Sequence, residues 1–225
     1  MKDTMGDRAT SGDFVFETLR DEIITLGILP GTRISEVEIA KRFGLSRQPV
    51  RAAFIRLSDQ GLLHIRPQRS SCVRLFSLTE IRQSRYIRTA VEVEVLRQAC
   101  ADRDTSIDTH LCENLARQAE AVRDNDPDAF HRLDYEFHAL LCQAARADFA
   151  FTTVSKIKAQ VDRLCMLSLT SQTAMAELVE DHTEILDSVL AGDAQRVETT
   201  IRRHLDRLIP TIDRIRETHP DYFED

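Results

Sequence analysis

Apolar residues recur at helical spacing along most of this chain. Between residues 13 and 27 they fall at Phe14, Val15, Leu19, Ile23 and Leu26, and Gly27 ends the run. The turn I-L-P-G follows. Ser35 and Glu38 then form the signature of a capping box at the start of a short helix that Gly44 closes. Ser46 stands at the cap of a third helix, with Pro49 in its first turn and Val50, Ala53, Phe54 and Leu57 on one face. After Gly61 the period changes to alternation on either side of residues 67–71, which predicts two short strands joined by a basic turn.

Three helices followed by a hairpin is the order of a winged helix-turn-helix. A second capping box, Ser77 with Glu80, opens a new helical stretch. From there to about residue 218 the pattern predicts six helices, with breaks near Asp102–Ser106, Asp124–Asp128, Ala145–Asp148, Leu169–Thr173 and Ala191–Asp193. The expected fold is mostly α, with four parts. These are an N-terminal tail over 1–11, a winged helix-turn-helix over 12–76, an all-helical bundle over 78–218 and a C-terminal tail over 219–225.

Composition supports helix. No glycine occurs between Gly61 and Gly192. The five cysteines include no C-x-x-C pair, so a zinc ribbon or thioredoxin-type motif is not supported; reduced, mostly buried thiols are expected. The N-terminus lacks the apolar core of a signal peptide, and no apolar run approaches the ~20 residues that span a bilayer. A cytoplasmic protein without a membrane partner is expected. The net charge of −7 argues against nucleic acid, but its distribution does not: from Lys41 to Arg74 eight basic residues face the single acid Asp59.

That basic segment contains L-S-R-Q-P-V-R-A-A-F-I-R-L. Arg47, Gln48 and Arg51 lie where a helix-turn-helix meets base edges, and their side chains suit guanine and adenine. Arg42 and Ser46 would hold phosphates, and Arg66, Gln68 and Arg69 on the wing would follow the minor groove. The stretch L-P-G-T-R-I-S-E-V-E-I-A-K-R-F-G-L-S-R-Q-P-V-R, continued to about residue 76, resembles the DNA-binding domain of the GntR family of bacterial transcription regulators. Arg47 and Arg51 match the positions with which that family contacts operator bases. Ala52 stands where a glutamate is frequent, and Ser70-Ser71 where the wing often has glycine.

In the helical part, D-Y-E-F-H places Asp134 and His138 one turn apart beside Phe130, Leu133, Phe137 and Leu141. His182 lies on the stripe Leu178, Ile185, Leu186, Val189, and His204 on the line Val197, Ile201, Leu208. Each histidine alone reads more readily as a hydrogen-bonded core residue than as a ligand. Together they would be costly to bury unless something joins them, and a divalent cation would. Residues of about 78–215 resemble the all-helical, six-helix effector (FCD-type) domain of the FadR-like branch of the family. That resemblance implies a metal held by Asp134, His138, His182 and His204, with zinc first and nickel, manganese or iron as alternatives. It also implies an effector-clamping role for Arg88, whose other reading is an ion pair with Glu92.

The resulting expectation is a homodimeric, ligand-responsive repressor with no catalytic residue. It binds a pseudo-palindromic operator and carries a metal that receives a small organic acid. Two rivals stand beside it: a metal-dependent enzyme with a DNA-binding-like domain, since three histidines and an aspartate could activate water, and a metal sensor without an organic effector.

Overall fold

The computed structural model describes residues 10–66, 70–158, 161–169 and 171–224. Its contacts divide the chain into one compact unit of residues 1–76 with 221–225 and a second of residues 77–220.

The first unit is built on α1 (Ser11–Ile24), α2 (Glu36–Phe43) and α3 (Arg47–Asp59), with strands β1 (Arg33–Ile34), β2 (Leu63–His64) and β3 (Ser71–Val73). The strands form an antiparallel sheet in the order β1-β3-β2, so a strand before α2 joins the two foreseen from the alternation. Thr10 caps α1 in a full capping box with Asp13. Ser35 caps α2 by accepting from Glu38 N–H at 3.1 Å. Ser46 sits at the N-cap of α3 with extended dihedrals, but its side chain makes no capping hydrogen bond, a departure from its expected role. Gly44 closes α2 in the left-handed conformation at φ 65°. Val15, Leu19, Ile23, Val50, Phe54, Leu57 and Leu63 fill the core. The C-terminal residues also belong here: Phe223 pairs in parallel with Phe76, and Phe76 N–H donates to Tyr222 at 2.8 Å.

The second unit is all helical. Its elements are α4 (Leu78–Ala101), α5 (Asp108–Asp124), α6 (Pro127–Ala144), α7 (Asp148–Lys158), α8 (Asp162–Ser168), α9 (Gln172–Ala191), α10 (Ala194–Asp206) and α11 (Leu208–Thr218). The described residues thus carry eight helices where six were expected. One added break separates α10 from α11 at Arg207, whose N–H bonds back three residues to His204. Pro210 is the cause: it has no N–H to donate to Asp206, and its ring crowds that carbonyl. The other lies at Val161, whose N–H donates to the Lys158 carbonyl at 2.8 Å just before α8 begins. No glycine or proline announces it.

A common core of Leu96, Leu111, Phe137, Leu141, Ile185, Val189, Val197 and Ile201 ties α4, α5, α6, α9 and α10 together. All five cysteines are free, but only Cys142 is buried and Cys112 is exposed, which corrects the expectation of mostly buried thiols. No helix among the described residues is long and apolar enough to cross a membrane.

A Cβ added at Gly44 would meet nothing within 4 Å, so Gly44→Ala should cost only the left-handed backbone. The expected loss is about 1 kcal/mol. Hydrogen exchange should show it in α2 and α3 and leave α9 protected; an unchanged α2–α3 would contradict the cap.

Candidate metal centre and DNA-reading face

Three helices bring four ligand-type side chains together. Asp134 and His138 come from α6, His182 from α9 and His204 from α10, and one ligand atom of each lies within 4.8 Å of all the others. His182 is fully buried, and His138 and His204 nearly so. The rings crowd one another, with centroids 4.7 Å apart for His182 and His204 and 5.4 Å for His138 and His204.

Neighbours outside the cluster fix how the rings present themselves. Nδ1 of His138 lies 2.9 Å from Glu92 Oε2. An ionised carboxylate only accepts, so Nδ1 carries a proton, and in the neutral ring Nε2 then carries the lone pair. Burial pushes the Glu92 carboxyl upward, but Arg88 and His138 outweigh it and hold the group well below its usual range. His182 donates from Nδ1 to Gln118 Oε1 at 2.8 Å, and the Gln118 amide in turn donates to Asn114 Oδ1 at 2.7 Å. That again leaves Nε2 as the lone pair. Both Nε2 atoms are buried with no hydrogen-bond partner, as is His204 Nδ1, which lies 3.9 Å from Asp181 Oδ2.

Asp134 spans two roles. Its Oδ1 lies 3.5 Å from His182 Nε2 and 3.8 Å from His138 Nε2, while its Oδ2 accepts from Lys158 Nζ at 3.0 Å. Lys158 is itself buried, 3.1 Å from Asp162 Oδ1 and 3.9 Å above the Tyr135 ring. Burial pushes Asp134 up, but Lys158 and the histidines bring it well below the usual carboxylate range. Asp181, fully buried, is gripped by Arg203 and Arg207.

The donor set fits a divalent cation. Neutral imidazoles with buried, unpartnered nitrogens and an ionised carboxylate are what such an ion takes. Glu92 and Gln118 supply the outer hydrogen bonds that orient ligating histidines.

Arg88 forms the ion pair with Glu92, Nε to Oε1 at 2.8 Å, and its Nη2 remains buried without a hydrogen-bond partner. It lines a cavity of ≈ 540 Å³ together with Asp134, Lys158 and His204. His131, which lies on no apolar stripe of the sequence, also lines this cavity, with its side chain 14% exposed. His64, His110 and His219 are exposed. Glu92 entered the sequence reading only as a rival partner for Arg88. Lys158, Asp162, Asp181 and Gln118 were not anticipated. The spacing of Lys158 and Asp162, four residues apart, was a signal; nothing local marks Gln118.

In the first unit, Arg47, Arg51 and Arg66 line one depression between α3 and the sheet, joined by Arg33, which the sequence reading missed. Gln48 is exposed on the same helix. Arg47 also pairs with Glu36 at 3.1 Å. Arg42 is turned to Glu22, with Nη1 2.8 Å from Oε2, and stacks over Phe43. Gln68 and Arg69 lie outside the described residues.

Burial pushes the His182 imidazole from 6.5 down to about 3 and moves His204 the same way. In metal-free protein the unfolded chain therefore binds more protons between those values. Stability of the helical unit should fall as pH drops below 6.5, by up to ~1.4 kcal/mol per pH unit for each of these histidines. Thermal denaturation of chelator-treated protein across the histidine range would show this, and a flat midpoint would contradict it.

Comparison with known proteins accounts for both halves. The family described as "Bacterial regulatory proteins, gntR family" matches residues 12–73, and the FCD domain matches residues 84–207. The chain is 36% identical to the HTH-type transcriptional repressor RspR of Escherichia coli, over 94% of this chain and 92% of that one. It is 34% identical to an uncharacterized HTH-type transcriptional regulator of Streptomyces ambofaciens, over 93% of this chain and 88% of the other. Among solved structures, E. coli McbR/YncC superposes with a TM-score of 0.77 at 16% identity, covering 92% of this chain and 99% of that one, a likeness of fold. This chain is therefore a transcriptional regulator of the GntR family, with an N-terminal helix-turn-helix domain and a C-terminal FCD domain.

Proposed function

We propose that this regulator is a homodimeric repressor whose helical domain holds one divalent metal ion on Asp134, His138, His182 and His204 and senses a carboxylate effector beside it. The observation that carries this reading is the meeting of four ligand atoms from three helices, with buried imidazole nitrogens left unpartnered. A bound ion would supply Lewis-acid positions for carboxylate oxygens. Zinc suits the three-imidazole set best, with nickel, manganese and iron as alternatives. The residues contribute the rest. Glu92 and Gln118 hold two imidazoles in the ligating tautomer, Lys158 keeps Asp134 ionised, and Arg88 presents a free donor to the cavity. The repressor reading draws on the name of RspR. An enzyme reading falls away with family membership, and the cavity beside the cluster favours an organic effector over metal sensing alone.

In the DNA-binding domain, Arg47, Gln48 and Arg51 read bases. Arg66 supports them, and the depression they share also recruits Arg33. Of the remaining candidates, Ser46 stays exposed at the helix start. Arg42 reaches phosphate only by leaving Glu22, so its contribution should be the smaller. A two-fold operator matches a dimer that presents two such helices.

Two measurements test this reading. Elemental analysis of purified protein should give one divalent ion per chain, and His182→Ala with His204→Ala should abolish it. Retention of the metal by that double variant would rule the site out. On an operator selected from random duplexes, Arg51→Ala should lose about 1–3 kcal/mol and relax one base position. Arg42→Ala should weaken every sequence alike, by less. Equal operator affinity of Arg51→Ala and wild type would remove the recognition-helix assignment.

A further inference from the structure

The cavity beside the histidines is built in two zones. Ile81, Phe130, Val161, Leu178, Leu205 and Ile212 give it apolar walls. Its buried polar groups are Arg88, Lys158 and His204, with Asp134 nearly buried, so the polar end is the histidine end. At the exposed margin, where Arg82 and Arg216 also lie, two of the arginines have carboxylate partners. Arg85 pairs with Asp206 at 3.2 Å, and Arg207 pairs with Glu177 at 2.6 Å and with Asp181. At ≈ 540 Å³ the space falls within the range of about 300–1,000 Å³ typical of drug-sized ligands, more than a two-carbon acid fills.

Charge narrows the choice further. Direct contacts link Arg88 to Glu92, Glu92 to His138, Asp134 to Lys158 and Lys158 to Asp162. Among these linked side chains three carboxylates face two cations, a balance of −1. Asp181, behind His204, is neutralised separately by Arg203 and Arg207. A divalent ion on the histidines would turn −1 into +1, and one monoanion would then bring the buried site to neutrality. A dianion would leave excess negative charge out of water, which is costly.

We infer that the effector is an amphiphilic monocarboxylate, whose single carboxylate lies at the histidine end near Arg88 Nη2 and whose medium-length aliphatic or aryl body lies along the apolar walls. This rests on the metal-and-carboxylate reading above and specifies the class of acid.

Calorimetry on metal-loaded, full-length protein tests it with acetate, butyrate, hexanoate, octanoate and phenylacetate against suberate and citrate. Affinity should rise along the straight-chain series by about fourfold per methylene until the cavity is filled. Suberate, with the length of octanoate and a second carboxylate, should bind on the order of tenfold weaker or less well still. Ala174→Phe, which fills part of the wall, should move the optimum to shorter acids, with metal content measured as the check on folding. Suberate or citrate binding more tightly than octanoate, while still requiring metal and Arg88, would overturn the monocarboxylate class and leave the carboxylate reading standing. A chain-length profile that ignores Ala174→Phe would also overturn it. Binding of no acid at all to metal-loaded protein would bring down both.

Discussion

Buried imidazole lone pairs set the main constraint on the helical domain. Three histidines from α6, α9 and α10 converge on one small volume, and His138 Nε2, His182 Nε2 and His204 Nδ1 are buried without a hydrogen-bond partner. Glu92 and Gln118 are committed to the opposite edges of two of these rings, so neither ring can turn to satisfy itself without breaking a buried bond. Such an arrangement is costly to bury, and the proposed ion would compensate it. The surroundings are heavily charged as well. Lys158 holds Asp134 ionised, Asp162 compensates Lys158, and Arg88 compensates Glu92.

The DNA-binding domain shows a lighter version of the same economy. Its basic residues are not all equally available. Glu22 takes Arg42 and Glu36 takes Arg47. Both pairs are largely exposed at the arginine, at 49% and 68%, so solvent screens them and a phosphate or a guanine can compete. Such pairs hold long side chains in place before DNA arrives. In the proposed DNA contacts, each of these ion pairs would open before a phosphate is gained.

Much of this was legible in the sequence because it depends on spacing. Asp134 and His138 are one turn apart, His182 and His204 each fall within an apolar stripe, and Gly44 lies where the helix must turn back. What stayed hidden depends on distance along the chain. Gln118 meets His182 across 64 residues and Arg33 joins the recognition helix through a two-residue strand, and no local period encodes either. The split of the last helix was written in Pro210, whose missing donor is harmless at the third position of a new helix and costly within a continuous one. His131 lies outside any apolar stripe, and no local period shows that Asp162 faces it from another helix.

Regulation requires the effector to prefer one arrangement of the protein over another; tight binding alone shifts nothing. The cavity provides a physical basis for such a preference, because its walls come from elements with different chain connections. Ile81 and Arg88 belong to α4, which begins immediately after Phe76, while Ile212, Asp213 and Arg216 belong to α11, which leads toward the C-terminal residues. Those residues end on Phe76, through the pairing of Phe223 and the bond from Phe76 N–H to Tyr222. The polypeptide therefore leaves the cavity for Phe76 along both α4 and α11. An effector of the proposed kind would touch both helices that lead along the chain to that residue. The break at Arg207 gives α11 its own start, separate from α10, which carries His204.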